Sequence, residues 1–223
     1  MIKAVIFDLD NTIMDRHGAL HAFAADQHRR LFASQQPHVP AAAYRQRFVA
    51  LDDNGRLWKD AVYQQLIAEF DLRATTWEQL LDEYITRFRL FCQPLPGFAT
   101  MLASLQAANY RLGLITNGSY PFQKHNFAAL GVAEAFELVM VSEQEGLRKP
   151  DPRLFQRALE RLGVTATEAV YVGDNPIADI EGAHSVGMPA IFRPSPHWAT
   201  CPTADATCTH LADLTDILAG LSP

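Results

Sequence analysis

Five short apolar runs recur along the chain, and each of them ends in a polar or glycine-marked turn. The runs cover residues 4–7, 112–115, 138–141, 169–172 and 190–192. Their large or β-branched side chains do not alternate with polar ones, which is typical of strands that are buried on both faces of a parallel sheet. The pattern therefore predicts five parallel strands.

Helical patterns lie between most of these runs. Residues 98–108 carry apolar side chains at helical spacing, and residues 152–162 begin with proline and end before Gly163. Proline at the start and glycine just after the end are typical of a helix. We expect a surface connection at 197–208 and a last helix at 210–221. Strands that alternate with helices predict a doubly wound α/β parallel sheet with right-handed crossovers.

The long gap between the first two runs departs from this alternation. Residues 15–92 show helical periodicity and almost no strand pattern. Thr76 and Gln79 have the spacing of a capping box at the start of the last helix. We therefore predict an α/β core formed by 1–14 and 93–223, with a helical insert at 15–92. Four helices are expected in the insert, at 16–33, 41–51, 57–70 and 77–92.

Composition and charge narrow the class of protein. Of the 223 residues, 48% are hydrophobic and 20% are charged, which suits a sizeable buried core and excludes a disordered chain. A formal net charge of −6 argues against a nucleic acid polymer or an anionic membrane as partner. No apolar stretch of about 18 residues is expected to cross a membrane. The oligomeric state is left open.

The cysteines and the N-terminal residues allow a prediction of the cellular compartment. Cys92, Cys201 and Cys208 show neither redox nor metal-binding spacing. We expect free thiols in a reducing cytosol. Asp8 and Asp10 interrupt the first apolar run, so no signal peptide is expected there. These observations predict a cytoplasmic protein.

Polar residues suited to chemistry follow four of the predicted strands. They are Asp8, Asp10 and Thr12 after the first run, Thr116, Asn117 and Gly118 after the second, Lys149 after the third, and Asp174 and Asp179 after the fourth. Ligands of open parallel sheets bind beyond the carboxyl ends of the strands, so we expect these side chains to converge in one crevice. Carboxylates, an ammonium group and a hydroxyl suit a divalent cation together with a phosphate.

These segments resemble the four motifs of the haloacid dehalogenase-like (HAD) hydrolases. The matching segments are 7–12 (FDLDNT), 114–118 (LITNG), 149–150 (KP), and 173–174 (GD) with Asp179. They occur in order, and the resemblance covers essentially the whole chain. The insert is similar to the helical cap that the family carries after the first motif. Residues 94–97, 116–118 and 141–143 are similar to the nucleotidase and sugar-phosphate branch. The resemblance implies a Rossmann-like HAD core with an all-helical cap.

The resemblance also implies a magnesium-dependent phosphomonoesterase with a phosphorylated aspartate intermediate. Asp8 would attack phosphorus, and Asp10 would act as general acid and then general base. Mg²⁺ would be held by the side chains of Asp8 and Asp174 and by the main-chain carbonyl of Asp10. Asp179 would hold a metal-bound water or orient Lys149.

Other residues would bind the substrate, a small phosphorylated metabolite. Thr116 and Lys149 would contact the phosphoryl group and take part in catalysis, and the backbone N–H groups of Asn117 and Gly118 would add to an anion cradle. Residues of the insert would recognise the leaving group, and Arg16 and His17 are preferred because the insert leaves the core there. The full set of insert candidates is Arg16, His17, Asn54, Trp58, Lys59 and Tyr63.

The substrate and the reaction each have alternatives at this point. A nucleoside 5′-monophosphate, above all a pyrimidine one, is the first expectation, with a sugar phosphate or phosphoglycolate next. A phosphomutase would retain all four motifs. The haloacid dehalogenases need no magnesium and typically lack the second acidic residue, so Asp10 and Asp174 argue against that chemistry. A metal- and phosphate-binding regulatory module without turnover is the alternative from another class.

Overall fold

A computed structural model describes residues 1–73 and 75–221 of the chain. They divide into two compact units, which we call the core unit (Met1–Asp15 with Gln93–Pro223) and the helical unit (Arg16–Cys92). The predicted insert includes Ala74, and the predicted core segment includes Ser222 and Pro223. These three residues lie outside the described ones.

The helical unit is built from four helices. They are α1 (Arg16–Leu31), α2 (Ala41–Asp52), α3 (Lys59–Phe70) and α4 (Trp77–Arg87). All four helices were predicted, but the last is shorter than expected because the chain tightens into a 3₁₀ turn at Phe88–Phe91. The predicted capping box is confirmed, since Thr76 Oγ1 accepts from Gln79 N and Gln79 Oε1 accepts from Thr76 N.

Within the described residues, the core unit forms a parallel sheet of six strands in the order β3-β2-β1-β4-β5-β6. The strands are β1 (Ala4–Phe7), β2 (Arg111–Thr116), β3 (Leu138–Val141), β4 (Ala169–Gly173), β5 (Ala190–Phe192) and β6 (Ala206–Thr207). The first five confirm the predicted strands. The surface connection predicted at 197–208 is wrong at β6, because a two-residue strand leaves no hydrophobic pattern to detect.

The helices of the core unit connect these strands. They are α5 (Phe98–Ala107), α6 (Phe122–Ala128), α7 (Ser142–Glu145), α8 (Pro152–Leu162), α9 (Gly182–His184) and α10 (Leu214–Leu221). A π-helical segment covers Pro176–Glu181. The helix predicted at 152–162 is confirmed at both ends, and Gly163 follows it with a left-handed φ of 59°. The short helices α6, α7 and α9 were not predicted.

The centre of the sheet is β1, which pairs with β2 on one side and β4 on the other. Both faces are buried there, since Val5 and Ile6 point to opposite faces and neither is exposed to solvent. The strand order reverses beside β1, and such a point is where open α/β sheets bind ligands. The carboxyl ends of β1, β2 and β4 therefore frame the place where a site is expected.

Two further features bear on the expectations from the sequence. The three cysteines are free thiols, and all of them are buried. None of the helices in the described part of the chain combines the length and the apolar character that a membrane span needs.

Candidate active site

Asp8 lies directly after β1, where its backbone N–H extends the ladder to Val172 of β4. The side chain is buried, and both of its oxygens have a hydrogen-bond donor. Lys149 Nζ lies 2.6 Å from Asp8 Oδ1, and Thr12 Oγ1 donates to Asp8 Oδ2 over 3.2 Å. The carboxylate is therefore held in one orientation at the carboxyl end of the central strand.

Lys149 is buried among three oxygen acceptors. Its Nζ lies 2.6 Å from Asp8 Oδ1, 2.6 Å from Asp179 Oδ1 and 2.9 Å from Tyr171 Oη. Tyr171 in turn donates to the carbonyl of Ile115 over 3.1 Å. Burial lowers the pKa of Lys149, but the Asp179 and Asp8 carboxylates outweigh it and hold the pKa well above its usual value. Lys149 is thus a fixed positive charge whose three hydrogens all have acceptors.

Asp8, Asp174 and Asp179 form a cluster of buried carboxyl groups whose oxygens lie within 4.8 Å of one another. Asp179 uses both oxygens inside the protein, one for Lys149 and one for the N–H of Asn175 at 2.9 Å. Gly173 makes room for it, because a Cβ there would collide with the Asp179 carboxyl. Asp174 differs, since its Oδ2 is buried and has no hydrogen-bond partner among the described residues.

Two carboxyl groups of this cluster have pKa values well above the usual value for aspartate. Burial raises the pKa of Asp8 to about 7, and the Asp179 and Asp10 carboxyls add to this against Lys149. Burial also raises the pKa of Asp174 to about 8, with Asp8 and Asp179 adding to it. An all-oxygen set with one unsatisfied buried oxygen fits a hard divalent cation, which would relieve the repulsion. The residues present therefore suit such an ion.

The residues after β2 tie the loops of the site together. The Asn117 side chain makes two hydrogen bonds to the backbone of Lys149. Asn117 Nδ2 donates to the Lys149 carbonyl over 3.0 Å, and the Lys149 N–H donates to Asn117 Oδ1 over 2.9 Å. Gly118 donates its N–H to Ser142 Oγ at 3.0 Å. The Gly118 N–H, which the sequence placed in an anion cradle, therefore already has an acceptor within the protein, and its role in binding substrate stays a prediction.

Three contributors to the site were not found from the sequence. Tyr171 lies inside a strand pattern, where an aromatic residue indicates core packing. Gln123 and Asn126 lie on the short helix α6, where seven residues give no clear periodicity. Gln123 Nε2 lies 3.0 Å from Asp10 Oδ2 and 3.0 Å from Thr116 Oγ1, so it joins the loop after β1 to the end of β2.

The insert candidates lie in the helical unit. Arg16 forms two hydrogen bonds to Asp52, at 2.8 and 2.9 Å, and Lys59 bonds the same carboxylate. The His17 ring packs edge-on against His21 at 4.6 Å. The roles of Arg16 and His17 in binding substrate stay predictions.

The aromatic candidates of the insert differ in exposure. Tyr63 is fully buried and donates to Gln27 Oε1 over 3.3 Å, so its ring has no surface open to a ligand. Trp58 is 73% exposed, which leaves its ring available for contact.

Comparison with known proteins agrees with this geometry. The family described as haloacid dehalogenase-like hydrolase matches residues 5–192. The chain belongs to this family. It is 30% identical over 195 residues to the glyceraldehyde 3-phosphate phosphatase of Pyrococcus abyssi, covering 86% of this chain and 81% of that protein. It is also 30% identical over 120 residues to the pyrimidine 5′-nucleotidase YjjG of Escherichia coli, covering 53% of each chain.

Solved structures of HAD proteins support the same assignment. A HAD phosphatase from Thermococcus onnurineus superimposes with a TM-score of 0.68 at 29% identity, covering 98% of this chain and 99% of that one. A 2-haloacid dehalogenase from Pseudomonas syringae gives a TM-score of 0.65 at 32% identity, with both chains fully covered. The predicted HAD fold, with its parallel α/β sheet, is confirmed, and the chain is a HAD hydrolase of the phosphatase type.

Proposed function

We propose that this HAD phosphatase hydrolyses the phosphate monoester of a small metabolite by way of a phosphorylated Asp8. The observation that carries the proposal is the environment of Asp8. This carboxylate lies at the carboxyl end of the central strand, beside the ammonium of Lys149 and within 4.8 Å of oxygens of Asp174 and Asp179. A nucleophile held by a permanent cation within a cluster of acidic oxygens suits attack on a phosphoryl group.

The reaction proceeds in two displacements. In the first, an Asp8 oxygen forms a bond to phosphorus while the ester P–O bond breaks, and Asp10 gives a proton to the leaving oxygen so that an alcohol departs. In the second, a water oxygen attacks the same phosphorus and gives a proton to Asp10. The bond between phosphorus and Asp8 breaks, which releases inorganic phosphate and restores the Asp8 carboxylate.

Lys149 and Thr116 prepare the site for this sequence. The positive charge of Lys149 favours the ionised form of Asp8, which is the form that attacks. Thr116 ends β2 with a buried hydroxyl and would donate to a phosphoryl oxygen. Asn117 fixes the Lys149 backbone through its two hydrogen bonds and so keeps the ammonium in place.

The proposed cofactor is Mg²⁺, held by the side chains of Asp8 and Asp174 and by the main-chain carbonyl of Asp10. The unsatisfied Oδ2 of Asp174 and the all-oxygen donor set support this choice. When bound, the ion offsets the charge of the phosphoryl group and stabilises the charge that develops during transfer. Asp179, whose oxygens are taken by Lys149 and Asn175, would orient Lys149 and so keep its ammonium group beside Asp8.

For the substrate we propose a pyrimidine nucleoside 5′-monophosphate, supported by the similarity to YjjG. A triose or other sugar phosphate is the second candidate, because the similarity to the P. abyssi enzyme extends over more of the chain. Release of inorganic phosphate from a panel that holds both classes decides between them. The class with the higher kcat/KM is the substrate class.

The nucleophile is tested with p-nitrophenyl phosphate and Mg²⁺. The Asp8→Asn variant is expected to lose at least about 10³-fold in kcat, because the amide cannot form the covalent intermediate. Asp151→Asn is the matched control, since Asp151 caps α8 at a position that asparagine serves equally well. Equal activity of wild type and Asp8→Asn would reject the proposal. Halide release from 2-chloropropionate without phosphatase activity would favour the dehalogenase reaction instead.

A further inference from the structure

Gln123 is a buried polar residue that bridges two parts of the proposed site. Its Nε2 lies 3.0 Å from Asp10 Oδ2, 3.0 Å from Thr116 Oγ1 and 3.3 Å from the carbonyl of Asn117. All three neighbours are hydrogen-bond acceptors at these atoms, and an amide nitrogen carries two hydrogens. The two shorter contacts go to the side chains that the mechanism uses.

The orientation of this amide is set from its other end. Asn126 is 1% exposed, and its Nδ2 donates to Gln123 Oε1 over 3.1 Å. The opposite orientation would place the amide oxygen against the Asp10 carboxylate and the two amide nitrogens against each other. Gln123 is therefore fixed as a donor toward Asp10 and Thr116.

Gly118 provides the space that Gln123 occupies. A Cβ at position 118 would lie 2.6 Å from Gln123 Cγ, closer than real Cβ contacts come, and the φ of +149° at Gly118 also disfavours a side chain. The glycine of the second motif thus packs directly against the glutamine. This close fit leaves Gln123 little room to turn away from its two acceptors.

We propose that Gln123 is a positioning residue for both Asp10 and Thr116, an inference that rests on the function proposed above. Its bond to Thr116 Oγ1 occupies an acceptor position of the hydroxyl, so the hydroxyl hydrogen is directed to another acceptor, which is a phosphoryl oxygen when substrate is bound. Its bond to Asp10 Oδ2 fixes the rotation of the carboxyl group that exchanges protons with the leaving oxygen and with water.

The two roles give a kinetic signature that a packing role does not. Protonation of the leaving oxygen matters more when the leaving group is poor, so a misplaced Asp10 slows phenyl phosphate more than p-nitrophenyl phosphate. A Thr116 hydroxyl that is no longer directed weakens the binding of inorganic phosphate, which does not depend on turnover. The two measurements therefore report separately on the two acceptors of Gln123.

The test compares Gln123→Met and Gln123→Glu with wild type in the presence of Mg²⁺. Methionine keeps the length of the side chain without a donor, and glutamate keeps its shape while placing an acceptor opposite Asp10. For both variants, we expect kcat/KM to fall about tenfold more on phenyl phosphate than on p-nitrophenyl phosphate, within the range of general acid catalysis. The Kd for inorganic phosphate, measured by calorimetry, should rise about fivefold, as for one lost hydrogen bond.

Two further variants complete the design. Gln106→Met, at an exposed position of α5, is the matched control and should behave as wild type. Asn126→Ala removes the bond that orients the amide, and it should show the same selective loss to a smaller extent. If Gln123→Met does not fold, as judged by circular dichroism, the Gln123→Glu and Asn126→Ala variants carry the test.

The outcomes separate this inference from the proposed function. Equal losses on the two esters with an unchanged phosphate Kd would overturn the positioning role and leave Gln123 as packing. Wild-type kinetics in all Gln123 and Asn126 variants would do the same. A wild-type protein that neither turns over the esters nor binds phosphate would overturn the proposed function, and the role of Gln123 with it.

Discussion

At the scale of single residues, the carboxyl groups of the site outnumber the ammonium group of Lys149. Oxygens of Asp8, Asp174 and Asp179 lie within 4.8 Å of one another. Among the described residues, Lys149 forms ion pairs with two of these groups, Asp8 and Asp179. A phosphate monoester brings further negative charge. The divalent cation proposed above at Asp8 and Asp174 would offset the repulsion between these carboxylates and the phosphate.

Tyr171 offers a test of how Lys149 is held. In Tyr171→Phe the aromatic packing is kept, but the ammonium loses one of its three acceptors inside the protein. We expect the free energy of unfolding to fall by about 1–3 kcal/mol, the range for a buried donor left unsatisfied, and kcat to fall as Lys149 shifts from Asp8. Urea unfolding and phosphate release measure the two effects. The control is Tyr110→Phe at a half-buried position, and wild-type stability of Tyr171→Phe would contradict the expectation.

At the scale of helices and strands, the sequence predicts what depends on long patterns. The strands β1 to β5 are continuous apolar runs, and the helices α1 to α4 and α8 are long enough to show periodicity. Because parallel strands end at one edge of the sheet, the polar residues that follow them are brought together. Contacts among Asp8, Lys149 and Asp179 confirm that expectation.

The elements that the sequence did not predict are short, and the residue type of Tyr171 also fits a purely structural role. Helix α6 has seven residues, too few for a clear apolar period, so Gln123 and Asn126 gave no signal. Tyr171 fits a buried strand by its residue type, and only its hydroxyl contact with Lys149 shows another role. Strand β6 has two residues that pair with β5 through the backbone. Interactions made by single side chains or by the backbone are not encoded in hydrophobic periodicity.

In the helical unit, Asp52 links the helices through charge. It lies at the end of α2 and bonds Arg16 of α1, Lys59 of α3 and the N–H of Gly55. Burial alone would raise the pKa of Asp52, but the positive charges of Arg16 and Lys59 overcome it and lower the pKa to about 2. The carboxylate is therefore ionised at neutral pH and stabilises the folded unit.

Asp52→Asn is predicted to destabilise the protein at neutral pH by about 3 kcal/mol, because two buried cations lose their shared partner. In wild type, the stabilisation by Asp52 is complete above its unfolded pKa of 3.8 and is lost as the pH falls toward 2. The difference between wild type and variant should therefore shrink in that range. Urea unfolding between pH 2 and pH 7 measures it.

The control for this prediction is Asp71→Asn. Asp71 also pairs with an arginine, Arg73, but both side chains are exposed, and exposed pairs contribute little to stability. Its unfolding midpoint should stay close to that of wild type at every pH. A pH-independent difference between wild type and Asp52→Asn would show that Asp52 acts through packing rather than through its charge.

At the scale of the whole molecule, the net charge of the chain and the charge of the proposed substrate have the same sign. The net charge is −6, and the proposed substrate is an anion. Long-range attraction therefore gives no help to binding, and recognition depends on contacts within a Debye length of about 8 Å at physiological ionic strength. Lys149 and the proposed Mg²⁺ act at that range.

The raised pKa values of Asp8 and Asp174, caused first by burial and then by the neighbouring carboxylates, predict how the free energy of unfolding responds to pH and to Mg²⁺. In a chelator, folded Asp8 and Asp174 retain protons up to about pH 7 and pH 8, whereas the unfolded chain releases them near pH 3.8. The folded state then binds more protons, so the free energy of unfolding falls as the pH rises from about 4 to about 8.

Saturating Mg²⁺ should reduce this fall by at least about 1 kcal/mol, which corresponds to less than one pKa unit. Urea unfolding at pH 5 and pH 8, with and without the ion, measures the effect. In Asp174→Asn both the fall and the response to Mg²⁺ should be smaller, and equal slopes in chelator and in Mg²⁺ for wild type would contradict a cation site at these carboxyl groups.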